Sequence, residues 1–92
     1  FVWANSKDNF ASLVNANISS VSSYISDDSS IALLNKSGNL IDAVAWGSGH
    51  SNPFVEGSPY SNNPVANKIL SRKSLNGSLQ DTNNNQNDFE IK

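Results

Sequence analysis

Two apolar runs, SIALLN at 30–35 and LIDAVAW at 40–46, are separated only by the four residues KSGN. Both runs are rich in Ile, Leu, Val and Ala, and Gly38 in the connection can take a positive φ. That arrangement is the signature of a β-hairpin. The chain just after Trp46 admits neither a long helix nor a central strand. The stretch GSGHSNPFVEGSPYSNNP holds three glycines and all three prolines. Proline lacks the N–H that both ladders need.

Composition points the same way. Asn and Ser together supply 32 of the 92 residues. Their side chains bond to nearby backbone and favour turns, caps and loops over helix interiors. Elsewhere, FVWA reads as a short strand. Asn5 or Ser6 is placed to cap a short helix with Phe10, Leu13 and Val14 on one face. NISSVSSYISDDSS reads as a loop pinned by Val21, Tyr24 and Ile25. ANKILSRKS reads as a strand, NGSLQDTNNNQN as a polar loop, and DFEIK as an extended end with Phe89 and Ile91 on one face. Short strands joined by turn-rich connections predict an all-β sandwich with one short N-terminal helix, in a single domain spanning 1–92.

There is no cysteine, so disulfides and thiolate metal sites are excluded. Few Lys and Glu with many Asn and Ser suit an extracellular or cell-surface protein. No run approaches the length of a membrane span, and no signal peptide is visible. The net charge of -2 argues against general nucleic-acid binding, which wants a basic face.

The stretch DTNNNQNDF, 81–89, is almost wholly oxygen-bearing. Asp81, Asn83 and Asn85 occupy alternate positions, as in a calcium loop, with Asp88 nearby. The Gly and bidentate Glu of such a loop are replaced by Gln86 and Lys92. The residues therefore read as Asx-turns that fold back on the backbone, and no metal or cofactor is expected. His50 is the only histidine and the only candidate general base. GSGHS lacks the spacing of a nucleophile elbow. The near acid pairs, Asp27–Asp28 and Asp88/Glu90, read as solvated. Trp3, Trp46, Tyr24 and Tyr60 could stack on sugars or bases, although Trp46 ends a buried strand and reads as core. Lys68, Arg72, Lys73 and Lys92 form a weak basic cluster. Three N-glycosylation tripeptides begin at Asn17, Asn35 and Asn76.

Arg72 follows Leu70 by two residues on a strand, so both leave one face. With Leu70 toward the core, the guanidinium lies at the core's edge and requires an acceptor. Asp42, which interrupts an apolar strand, is the first candidate. Asp81, Asp88 and backbone carbonyls of the Asn-rich turn are the others.

The order of these pieces resembles the lamin-tail domain. Ile41, Asp42, Val44, Trp46 and Gly47, then Leu70 and Arg72, then Asp81, Thr82, Asn84, Asp88 and Phe89 fall in sequence on that family's pattern. The match covers about residues 30–91. It implies an immunoglobulin-like β-sandwich in which Asp42, Trp46, Leu70, Arg72, Asp81, Asp88 and Phe89 are structural. It also implies a non-catalytic interaction or anchoring module whose partner is a protein or surface, alongside adjoining domains. Residues 1–29 do not carry the family's opening strands, so the chain is expected to be the C-terminal portion of a longer domain or protein, the alternative being a first half that has been replaced. The alternative function is a calcium- or carbohydrate-binding accessory domain of a secreted hydrolase or nuclease.

Overall fold

The computed structural model describes residues 2–21, 25–48 and 53–92. The expectations for Tyr24 and His50 lie outside the described residues. The protein is a small β-rich domain. In chain order its elements are β1 (Trp3–Asn5), a 3-10 turn (Lys7–Asn9), α1 (Phe10–Leu13), β2 (Ile18–Ser20), β3 (Ser30–Leu34), β4 (Leu40–Ala45), β5 (Leu70–Arg72), β6 (Ser74–Leu75), β7 (Ser78–Leu79), α2 (Asn85–Asp88) and β8 (Phe89–Ile91). No described helix is long and apolar enough to cross a membrane.

Strands β3 and β4 form the antiparallel hairpin that the apolar runs predict. Ile31 faces Val44 and Leu33 faces Asp42, with a bulge before Leu34 meets Leu40. Asn35 closes the turn. Its side-chain Oδ1 accepts from the backbone N–H groups of Ser37 and Asn39, both at 2.9 Å. Alternation along β4 then puts Asp42 and Val44 on one face and Ala43 and Ala45 on the other.

Strands β5 and β8 pair antiparallel, with Leu70 opposite Ile91 and Arg72 opposite Phe89. Between β5 and α2 lies a second hairpin, β6–β7, where the sequence predicts a polar loop. Asn76 and Gly77 both adopt positive φ, 53° and 82°, as a two-residue type I′ turn requires. The Asn-Gly signal was present, but the flanking strands are only two residues long, each a serine and a leucine.

The N-terminal segment differs more from expectation. β2 pairs in parallel with β1, Trp3 opposite Ile18, where a loop is expected. Val21 and Ile25 are exposed, so they do not pin that segment. In α1 Phe10 and Leu13 face solvent, at 51% and 77% exposure. Their spacing marks a helix face correctly but does not reveal whether anything covers it. Ser6 precedes the 3-10 turn without a side-chain capping bond.

Among the described residues the buried apolar ones are Ala4, Ala43, Ala45, Trp46 and Phe89, and the two largest fully buried side chains are polar, Asn85 and Asp88. The most tightly enclosed part of the described fold is thus a hydrogen-bonded one.

Where β4 ends, the chain turns at Gly47, whose φ is +82°. A clasp closes over it. Asp28 Oδ1 accepts from the Ser48 backbone N–H at 2.8 Å and the Asn63 amide at 3.3 Å, and Asn63 Oδ1 accepts from the Asp28 N–H at 2.9 Å. A β-carbon at 47 would overlap Asp28 Oδ1 and come within 2.6 Å of Asn63 Oδ1. Gly38 has the same φ and nothing within 4 Å. Gly47→Ala is therefore expected to cost at least about 2 kcal/mol, from strain plus overlap, and Gly38→Ala about 1, from strain alone. Chemical denaturation of both variants checks this, and equal losses would remove the clasp from the explanation.

Candidate functional site

Arg72 is the centre of the described polar structure. Its place on β5, opposite Phe89, lays the guanidinium over that ring, 4.6 Å from the centroid. Nη2 donates to both carboxylate oxygens of Asp42, at 2.8 and 3.1 Å. Nη1 donates to the Gln80 carbonyl at 3.1 Å and lies 3.8 Å from Asp81 and 4.0 Å from Asp88. One cation thus ties β4, the end of β7 and the Asn-rich turn together. The side chain is 15% exposed and that of Asp42 is 46% exposed, so this joint sits at the rim of the core. Both the first-named partner and the alternatives converge on Arg72, each at its own distance.

DTNNNQNDF forms one Asx-turn, in which Asp81 Oδ1 accepts from the Asn83 N–H at 3.2 Å, and then a helical turn. Asn84 caps α2 by accepting from the Asn87 N–H. Asp88 is fully buried, contrary to its solvated reading. Its oxygens accept from the Thr82 N–H and Thr82 hydroxyl, both at 2.8 Å, from the Asn84 N–H at 3.2 Å and from the Gln80 amide at 3.3 Å. Those donors, which could not be counted from the sequence, replace the lost hydration.

Asn85 is also fully buried. Its Oδ1 accepts from the Ala45 N–H at 3.0 Å and the Glu56 N–H at 3.2 Å, and its Nδ2 donates to the Ala43 carbonyl at 2.9 Å. The carboxamide therefore pairs with the outer edge of β4 as a neighbouring strand would. Tyr60 continues that edge, its N–H donating to the Ala45 carbonyl and its carbonyl accepting from the Gly47 N–H. The sequence marks Asn85 only as one of the alternate positions of a calcium-type loop, and nothing local in it signals this role at the β4 edge.

Of the four calcium candidates, Asp88 and Asn85 have their oxygens committed to protein donors. Among the described residues no group of three or more His, Cys, Asp or Glu side chains is placed to hold a metal. Thermal melts in millimolar calcium and in EDTA are expected to superimpose, since a bound ion would stabilise the fold by mass action. A calcium-dependent rise in Tm that Asp81→Ala abolishes would reverse this.

The basic cluster is largely engaged within the fold. Lys73 Nζ donates to the Asn87 carbonyl at 2.6 Å, and Lys92 pairs with Glu90 at 3.2 Å. Of the aromatic candidates, Trp46 is buried, its indole N–H donating to the Ser26 carbonyl at 3.1 Å. Trp3 is exposed elsewhere, on β1.

Two carboxyls near Arg72 titrate in opposite directions. Burial alone would push Asp88 upward, but hydrogen bonds from Thr82, Asn84 and Gln80 outweigh it and hold its pKa below the ordinary 3.8. Glu56 is raised above 4.5, first by burial and then by repulsion from Asp42 and Asp81. One of its oxygens, Oε2, is buried without a hydrogen-bond partner. The unfolded chain therefore releases the Glu56 proton first as pH rises past 4.5, and stability falls until the folded pKa is passed. Asp88 does the reverse: its contribution is present above 3.8 and lost as pH falls through the lowered value. Urea unfolding across acidic pH is expected to show Glu56→Gln more stable than the parent at neutral pH and level with it in mild acid.

Beside this joint lies a groove of about 370 Å³ whose lining includes Ile31, Val44, Trp46, Ile69, Leu70 and Phe89. Ile31, Val44 and Phe89 line both this groove and a smaller pocket that Asp42 and Arg72 also line.

No protein-family model, curated protein or solved structure matches the chain.

Proposed function

We propose that this chain is a non-catalytic interaction or anchoring module of a secreted or cell-surface protein, built as an immunoglobulin-like β-sandwich of the lamin-tail type. The observation that carries this reading is the division of the surface around β4 and β5. Arg72, Asp42 and Asp88 are spent on one another, while the adjacent groove is mostly apolar and open, with Ser26 and Asp27 in its lining. A site built for hydrolysis wants convergent polar groups with free valences; a site for a protein partner wants an apolar centre with a polar rim. The resemblance supports the same reading, because Asp42, Arg72, Asp81, Asp88 and Phe89, scattered over its pattern, meet at one point of the fold.

The test has two arms. Assays against nucleic acid, phosphoester, glycoside and peptide substrates are expected to give no turnover above buffer. Turnover that vanishes in His50→Ala overturns the non-catalytic reading. In the second arm, 8-anilinonaphthalene-1-sulfonate reports on the groove. Its fluorescence is expected to rise with the folded chain and to fall in Ile69→Asp, a lining position that is 62% exposed and so alters the groove without opening the core. A folded chain that leaves the dye dark removes the groove as a binding surface.

A further inference from the structure

We propose that Asn76 is a self-modifying site, at which the Asn76–Gly77 turn closes to a succinimide and reopens to aspartyl and isoaspartyl forms, loosening the Arg72 joint. Of the fifteen asparagines in the chain, this is the only one followed by glycine. The absence of a side chain on residue 77 leaves its backbone nitrogen free to approach the Asn76 carboxamide. Nothing lies within 4 Å of where a Gly77 β-carbon would stand, and Asn76 is exposed, so solvent reaches both reacting groups. The turn itself holds Asn76 at a φ of 53°, and the reaction requires it to open. That opening costs little. β6 and β7 contribute two residues each, all exposed, with Leu75 and Leu79 at 66% and 70%.

The chemistry balances without a co-reactant other than water. The Gly77 nitrogen gives up its proton to solvent and bonds to Asn76 Cγ, closing a five-membered ring. The Cγ–Nδ2 bond breaks and ammonia leaves with a proton. Water then opens the ring at either carbonyl. Opening at Cγ gives aspartate; opening at the backbone carbonyl gives isoaspartate, with one extra methylene in the main chain. Nothing is oxidised or reduced.

The consequence follows from what the hairpin spans. It joins Arg72 and Lys73 to Gln80, and the Gln80 N–H donates to the Lys73 carbonyl at 2.9 Å as β7 ends. Gln80 supplies Arg72 with its carbonyl acceptor at 3.1 Å and gives its amide to Asp88 at 3.3 Å. A longer main chain at position 76 cannot close a two-residue turn in the same register. Gln80 then shifts, and Arg72 and Asp88 each lose a partner.

The full chain, held in mildly alkaline buffer and mapped by mass spectrometry over time, is expected to lose the Asn76 amide before any other, giving two products of equal mass and releasing ammonia. Gly77→Ala places a β-carbon beside the attacking nitrogen and is expected to slow the conversion by roughly tenfold. Conversion of another asparagine first, or an unchanged rate in Gly77→Ala, overturns the assignment. The coupling to Arg72 has its own readout. Aged protein is expected to unfold at lower urea than fresh protein, while fresh Asn76→Asp, which gains the charge without the extra methylene, keeps the fresh midpoint. Coincident midpoints for aged protein and Asn76→Asp, or no drop on ageing, overturn the coupling.

Discussion

Arg72→Ala is expected to lower the unfolding free energy by about 3 kcal/mol, and Lys73→Ala by less than about 1. The two residues are neighbours in sequence and carry the same charge, so net charge does not separate them. Their surroundings do. Arg72 is 15% exposed, covers Phe89 and answers three carboxylates and a carbonyl. Breaking a buried ion pair from one side costs about 3–5 kcal/mol because the remaining charge stays desolvated. The lower end applies here, since Asp42 is 46% exposed and water can take up its carboxylate. Asp88 is not so relieved, being wholly enclosed. The Lys73 side chain makes one hydrogen bond, to the Asn87 carbonyl, and its backbone bonds survive the substitution. Arg72→Lys is not expected to rescue. A single ammonium cannot reach Asp42 and the Gln80 carbonyl together, as Nη2 and Nη1 do. Urea unfolding of the three variants decides the matter, and equal small losses at 72 and 73 would make Arg72 a surface charge.

This joint was legible in the sequence because each partner broke a local rule. Asp42 stands inside an apolar strand, and Arg72 stands one alternation from Leu70. A charge in an apolar context demands a partner, and there were few to choose from. The β3–β4 hairpin was legible for a similar reason, as its period and its glycine agree. What escaped was of two kinds. The exposed face of α1, with Phe10 and Leu13, has the spacing of a buried face, and spacing carries no information about what lies across from it. Asn85 is the opposite case. Its importance comes from the Ala43 and Ala45 backbone of a strand forty residues away, and nothing in its own neighbourhood separates it from Asn83 and Asn84. The composition did predict that asparagine would serve the backbone. It predicted local service, at caps and turns, whereas Asn85, like Asn63, serves the backbone of a distant segment.

Asn85→Ala is accordingly expected to be as damaging as any single change among the described residues. It leaves the Ala45 N–H, the Glu56 N–H and the Ala43 carbonyl without partners at a site of zero exposure. Each unsatisfied buried group costs about 1–3 kcal/mol, so a loss of about 3–5 is expected once the site relaxes. That is a large share of the roughly 5–14 kcal/mol that holds a chain of this length folded. Asn85→Asp separates the geometric part of this from the electrical part. The new carboxyl has nearly the same shape and can still accept from Ala45 and Glu56. Where Nδ2 donated to the Ala43 carbonyl, however, a carboxylate sets oxygen against oxygen, in a buried site. At neutral pH the variant should therefore be about as unstable as Asn85→Ala. Protonation supplies an O–H that can donate to Ala43, and burial raises the pKa at which this happens. The folded state then binds the proton more tightly than the unfolded chain, whose value is about 3.9. Stability of Asn85→Asp should climb as pH falls from neutral toward that value, until protonation of Asp88 begins to undo the fold from the other side. Asn85→Ala, with no group to titrate there, should show no such climb. Urea midpoints for both variants at neutral and mildly acidic pH test the argument directly. Parallel pH profiles would mean that the Asn85 carboxamide does not hold the β4 edge through its donor.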